Sequence, residues 1–144
     1  QLVTMLYRQA GSPKAAKSSP FTDVTDSWSV DAINWAFEKG VVNGTSSTTF
    51  SPNDAITRQD MATILYNYTK NVLDLDVYDT ADLTGYPDYS SISDYARTPL
   101  SWAVAQGLIL GVGNSNGVDT LQPKGDAPRA QTATIIMRFC QNVL

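Results

Sequence analysis

Between Phe21 and Tyr68 the chain carries a series of short motifs that returns, altered but legible, between Tyr86 and Arg138. An internal repeat constrains the fold more than any single residue does. It means that one supersecondary unit has been copied, and that the copies bury their apolar faces against one another. One copy reads Phe21-Thr22-Asp23-Val24, Ala32-Ile33-Asn34-Trp35-Ala36, Gly40-Val41-Val42-Asn43-Gly44, Phe50-Ser51-Pro52 and Ile56-Thr57-Arg58-Gln59-Asp60. The other reads Tyr86-Pro87-Asp88-Tyr89, Pro99-Leu100-Ser101-Trp102-Ala103, Gly107-Leu108-Ile109-Leu110-Gly111, Leu121-Gln122-Pro123 and Ala127-Pro128-Arg129-Ala130-Gln131. The offset is 67 at the Trp and 71 at the Arg, so four added residues fall in the Gly- and Asn-rich stretch 112–119. A longer turn accounts for them. Gln1 to Arg8 aligns with Asp60–Asn67 and Gln131–Arg138. The chain therefore opens inside the last helix of an earlier copy, and we expect it to be a piece of a longer polypeptide.

Each full copy reads as helix, Gly-bearing loop, helix. Over Ser29 to Lys39 the apolar residues Val30, Ile33, Ala36 and Phe37 recur at helical spacing. Ser27 or Ser29 is placed to cap that helix, and Gly40 to end it in a left-handed turn. Thr57 followed by Asp60 resembles a capping box ahead of the stripe Met61, Ile64, Leu65 and Tyr68. In the last copy Pro99 sits early in its helix, where a missing N–H costs little. Pro128 stands in place of the capping Thr, with Asp126 one step back as a substitute cap. The expected core includes Ile33, Ala36, Leu65, Leu100, Val104, Ile135 and Ile136. The expected organisation is a partial unit at 1–18, a full unit at 19–72, a connector at 73–85 and a second full unit at 86–144.

Composition removes several function classes. A 144-residue chain that is 42% hydrophobic and 17% charged is globular rather than disordered. Its net charge of −4 and scattered basic residues provide no footprint for nucleic acid. No apolar run reaches the ~20 residues needed to span a bilayer. The absence of His excludes Ser-His and Cys-His nucleophile arrangements. The single cysteine, Cys140, cannot form an internal disulfide. Asp74-x-Asp76 lacks the sixth-position Gly and closing Glu of a calcium loop, so neither a metal nor another cofactor is expected. Among 14 acidic residues no strand-borne pair stands out for glycoside hydrolysis, and no catalytic residue is assigned.

The order Phe-x-Asp-Val, Trp, Ala-Ile, Gly-Val-Val-x-Gly, Phe-x-Pro, Ile-Thr-Arg resembles the S-layer homology repeat of bacterial surface proteins. The likeness covers the copy from Phe21 almost completely, the last copy with substitutions, and the helix at the N-terminus. It implies a mostly α-helical fold of tandem helix-loop-helix repeats packed as a pseudo-threefold bundle. It also implies a secreted protein at the bacterial cell wall. The implied function is non-covalent anchoring by binding a secondary cell wall polysaccharide, commonly one with pyruvylated amino sugars, in grooves between repeats. The other partners are neighbouring repeats of the same chain. Carried over by position, the resemblance assigns ligand contact first to Arg58 and Arg129, then to Gly44 and Gly111, then to Trp28 and Asp23. In the last copy Tyr95 stands where Trp28 does, and Asp88 where Asp23 does.

The chemistry suits these residue types. A pyruvate ketal carries a carboxylate, which a guanidinium can bond through two parallel N–H groups, and a helix N-terminus adds anion attraction. Spacing alone favours Arg58 as a structural clasp with Asp54 or Asp60, and the resemblance moves the reading to ligand contact. Gly44 and Gly111 permit close backbone approach to a sugar or provide a positive φ in a turn, or both. Trp28 stacks on a sugar or plugs a repeat interface, and Asp23 accepts from a hydroxyl or shapes a turn. With the Thr-Arg of the earliest copy lying ahead of Gln1, at most two competent sites are expected. The alternative is an assembly module that binds protein and no glycan, which an enzyme elsewhere in the parent chain could accompany. Pro128, Leu121 and Leu110, which replace the Thr, Phe and Asn of the motif, leave room for it.

Overall fold

The structure, a computed structural model, describes all residues except 1, 16–17, 26, 44–55, 110–119, 128 and 144, and excludes the side chains of 27, 28, 129 and 130. Among the described residues there are five α-helices: α1 (Leu2–Gln9), α2 (Ser27–Glu38), α3 (Arg58–Asn71), α4 (Arg97–Ala105) and α5 (Arg129–Asn142). Two short 3₁₀ turns, Tyr89–Ser91 and Asp94–Ala96, lead into α4. Among the same residues the only extended pairing is an isolated antiparallel bridge between Thr57 and Asp126. The fold is mostly helical, as the repeat required.

The chain packs as two compact units, Gln1–Asp54 with Asn67–Leu75, and Ala55–Tyr66 with Asp76–Leu144. In the first, α1 lies against α2. Trp35 is 1% exposed between Tyr7, at 5.5 Å centroid to centroid, and Tyr68, at 6.3 Å. Such tilted aromatic contacts add about 1 kcal/mol each beyond the area they bury. The Tyr68 hydroxyl donates to the Gln9 side chain, which satisfies the one polar atom that this ring takes into the core. Leu2, Val3, Leu6, Ile33, Ala36 and Val41 complete the buried set.

The second unit is built on the same plan. Trp102, 1% exposed, meets Tyr66 edge-on at 5.8 Å, and Leu65, Leu100, Leu108, Leu121, Ile135 and Phe139 are buried with it. Of the expected core residues in the two units, Val104 and Ile136 are only half-buried; each lies at the edge of its helix's apolar stripe. The connector between the repeats contributes more than spacing suggested, since Val77 and Leu83 are both buried.

The first helix of each full repeat ends as its sequence requires. Gly40 (φ 70°) and Gly107 (φ 72°) occupy the left-handed position after α2 and α4. In each, the glycine N–H bonds the carbonyl three residues back (Phe37, Val104), and the next N–H (Val41, Leu108) reaches Ala36 or Ala103. This is a Schellman stop, with a buried aliphatic residue just past the glycine. A repeat-related asparagine secures each turn. Asn71 Nδ2 donates to the Gly40 carbonyl at 3.4 Å, and Asn142 Nδ2 to the Gln106 carbonyl at 2.8 Å.

Candidate functional site

The start of α3 organises the second unit. Its first backbone N–H groups, which an isolated helix leaves without partners, are all taken. Arg58 N–H donates to the Gly125 carbonyl at 3.0 Å and Gln59 N–H to the Pro123 carbonyl at 2.8 Å. Asp60 N–H donates to Thr57 Oγ1 at 3.2 Å. The Thr57 half of the expected capping box therefore forms. The Asp60 carboxylate accepts from the Tyr95 hydroxyl instead of reaching back to the cap. Because the segment Pro123 to Gly125 covers the helix end, α3 presents no open cluster of N–H donors to an anion. The expected backbone contribution to anion binding is absent at Arg58, whose side chain must do this work.

That side chain is 5% exposed. Nε donates to the Leu121 carbonyl at 2.9 Å, and Nη1 to Gln131 Oε1 at 3.1 Å. Asp88 is the nearby compensating charge, but burial outweighs it and holds the guanidinium pKa below its ordinary value. Of the two carboxylates weighed as clasp partners, Asp54 lies outside the described residues and Asp60 is engaged with Tyr95. Asp88 instead accepts from the N–H of Leu121 at 2.9 Å and of Gln122 at 2.7 Å. Gln122 takes φ 48°, so the two amides converge on one carboxylate. The Leu121 peptide is thus gripped on its carbonyl by Arg58 and on its N–H by Asp88.

Gln59, 4% exposed, completes the cluster and had no signal in the sequence. Its Nε2 donates to Ser93 Oγ at 3.0 Å and Tyr95 Oη at 3.3 Å, and its Oε1 accepts from Ser93 N–H at 3.0 Å. These bonds hold the turn before α4 and aim Tyr95. The Tyr95 ring is 58% exposed. Partial burial of its hydroxyl, reinforced by the bond to anionic Asp60, pushes the pKa up to about 12. The result is a buried cation bonded to an exposed residue, Gln131, with the next residue of α3, Gln59, holding an exposed aromatic ring, Tyr95.

The other expected site residues fall as follows. Asp23 lies half-buried in a bend ahead of α2. Trp28 is in the first turn of α2 and Arg129 begins α5, with both side chains outside the described residues. Gly44 and Gly111 also lie outside them. Among the described residues no cluster of three metal-ligating side chains occurs, and no helix is long and apolar enough to cross a membrane.

Residues 20–62 match the family model described as the S-layer homology domain. The chain is 35% identical over 139 residues to a protein named endoglucanase from Bacillus sp. (strain KSM-635), covering 94% of this chain and 14% of that one. It is 34% identical over 124 residues to the surface-layer 125 kDa protein of Lysinibacillus sphaericus, covering 85% and 10%. It is 31% identical over 128 residues to the S-layer protein sap of Bacillus anthracis, covering 88% and 14%. The chain thus spans at most about a seventh of each of these curated relatives.

Proposed function

We propose, from the premise that this chain belongs to the S-layer homology domain family and is an anchoring module of the bacterial cell surface, that it holds on by binding an anionic cell-wall glycan at Arg58. The ligand is a secondary cell wall polysaccharide bearing pyruvylated amino sugars. The observation that carries the reading is the state of the guanidinium. It is a buried cation whose desolvation exceeds the attraction of Asp88, and whose Nη1 rests on a neutral amide oxygen. Gln131 is exposed and can swing away. A carboxylate taking its place replaces a neutral hydrogen bond with a charge-assisted one, about twice as strong. Tyr95 then offers its exposed ring to the apolar face of the sugar, with Asp60 and Gln59 fixing its orientation. Arg129, Gly44, Gly111, Trp28 and Asp23 remain proposed contacts on the strength of the family resemblance.

The same stretch aligns with surface-layer proteins and with a protein named endoglucanase. A segment shared by proteins of such different names supports a common attachment role, and we assign this chain no reaction. Calorimetry tests the reading directly. The chain is titrated with a synthetic pyruvylated N-acetylmannosamine glycoside and with the same glycoside lacking pyruvate. Saturable binding of the first alone is expected. Equal binding of both, or of neither, overturns a carboxylate-directed site.

A further inference from the structure

Asn43 stands apart from the other asparagines among the described residues. Asn34, Asn67, Asn71 and Asn142 all lie in helices, and each uses its side-chain amide. Asn34 Oδ1 accepts from Ser19 N–H at 3.0 Å, and Asn67 Nδ2 donates to the Val41 carbonyl at 3.5 Å. Asn71 and Asn142 secure the two glycine stops. Asn43 is exposed and outside any helix, one residue past the last bond of the α2 stop, Val42 N–H to the Ala36 carbonyl at 3.4 Å. Among the described residues neither its side-chain amide nor its backbone N–H has a hydrogen-bond partner.

The following residue adds a second distinction. Gly44 comes after Asn43, whereas Trp35, Tyr68, Val72 and Val143 come after the others. The backbone nitrogen of the next residue can attack an asparagine's side-chain carbonyl carbon. Crowding around that nitrogen, and the backbone freedom needed to close a five-membered ring, limit the step. Glycine has no Cβ and restricts both least. A helix prevents the closure until it opens locally. Asn43 meets both conditions, and the four helical asparagines meet neither. Nor does the repeat require an asparagine here, since Leu110 stands in its place before Gly111.

We propose that Asn43 is a site of spontaneous deamidation, through which the chain acquires a negative charge beside Gly44. The Gly44 nitrogen gives up its proton and bonds Asn43 Cγ, and the side-chain nitrogen leaves as ammonia. Water then opens the resulting succinimide at either carbonyl and restores the Gly44 N–H. The product is aspartate or, with one more carbon in the backbone, isoaspartate. The net exchange is one water for one ammonia, with no cofactor or oxidant. A carboxylate with an ordinary pKa of about 4 is ionised at neutral pH. Its consequence for anchoring rests on the glycan reading, in which Gly44 is a proposed contact. On that reading the change sets an anion next to an anionic ligand, and attachment weakens as the protein ages.

The test ages the whole 144-residue chain at mildly alkaline pH, where backbone amides lose a proton more readily, and follows tryptic peptide 40–58 by fragmentation mass spectrometry. Replacement of –NH2 by –OH at Asn43 is expected about tenfold faster or more than at Asn34, Asn67, Asn71 or Asn142. In parallel, calorimetry compares binding of the pyruvylated glycoside. A fresh Asn43→Asp chain should bind about threefold or more weakly, as like charges a few ångströms apart in water require. The aged parent should move toward that value. An aged Asn43→Gln chain, whose longer side chain does not close the five-membered ring, should bind as the fresh parent does. The modification is overturned if Asn43 keeps its amide, or loses it no faster than the helical asparagines. Its effect on attachment is overturned if fresh Asn43→Asp binds as the parent does. Glycoside bound by none of the chains overturns the glycan reading instead, while the peptide map still decides the modification.

Discussion

Gln131→Glu separates the two roles open to Arg58, because it should move stability and binding in opposite directions. At present Arg58 Nη1 donates to a neutral amide oxygen at 3.1 Å on an exposed side chain. A carboxylate in that place makes the bond charge-assisted, and the difference between the two classes of bond is about 1 kcal/mol. Residue 131 is also in the first turn of α5, where a negative charge contributes a further ~0.3–1 kcal/mol. Since the side chain is exposed, little desolvation cost offsets this. The variant should therefore be stabilised by about 1–2 kcal/mol, which raises Tm by about 3–6 °C for a chain of this length. The same carboxylate occupies the place assigned to the pyruvyl group, at a high local concentration. Affinity for the pyruvylated glycoside should then fall by about tenfold or more. Thermal melts and calorimetry on one preparation read both effects. Unchanged affinity in a stabilised protein would refute Arg58 as the ligand contact and leave it a clasp.

The remaining predictions concern the same framework. Arg58→Ala removes the bond to the Leu121 carbonyl and leaves Asp88 without its compensating charge, so urea unfolding should show a loss of about 3 kcal/mol; a loss under about 0.5 kcal/mol contradicts the clasp. Tyr95 should titrate near 12 by phenolate absorbance. A raised acid pKa means that this group's stabilising contribution is complete below its ordinary value of 10, and is lost as pH rises from there through about 12. A Tyr95→Phe chain should lack that dependence. Gly40→Ala and Gly107→Ala force a Cβ into left-handed backbone at about 1–2 kcal/mol each. Gly40→Ala should be the worse, since its Cβ meets Asn71 Nδ2 at 3.1 Å where that of Gly107 meets Asn142 Nδ2 at 3.4 Å; equal denaturation midpoints would contradict this.

The repeat made the helices, their glycine stops and most of the core legible from sequence alone. Gly40 and Gly107 needed only their position after an apolar stripe, because a Schellman turn depends on local geometry. The Thr57 cap was legible for the same reason. What spacing could not show were bonds between residues far apart in the chain. Asp88 gripping the Leu121 and Gln122 amides spans 33 and 34 positions, and Arg58 to Gln131 spans 73. Nothing in the composition of Leu121-Gln122-Pro123 indicates that its backbone is the shared target of a cation and an anion. The asparagines were available in principle, since Asn71 and Asn142 recur at the offset of the arginines. An asparagine at the end of a helix has many ordinary uses, so only its partner carbonyl gave it meaning.

A buried arginine that holds the fold and is also proposed to take a ligand looks contradictory, since a ligand contact should not unfold the protein when it changes partner. The geometry resolves this by dividing the guanidinium. Nε, on the inner side, bonds a backbone carbonyl whose own N–H is fixed by Asp88, and that bond is part of the fold. Nη1, at the outer end, bonds a side chain that is exposed and neutral. On the proposed reading, exchange of Gln131 for a carboxylate gives up the Nη1 bond and keeps the Nε bond to the backbone. Lysine could not divide its charge in this way, because a point charge has no rigid fork with distinct inner and outer donors. Arg58→Lys should accordingly keep the charge of the site and lose both functions together, in stability through the Leu121 carbonyl and in affinity through the lost bidentate geometry. Retention of affinity by Arg58→Lys with stability reduced would mean that charge alone, without the fork, recruits the ligand.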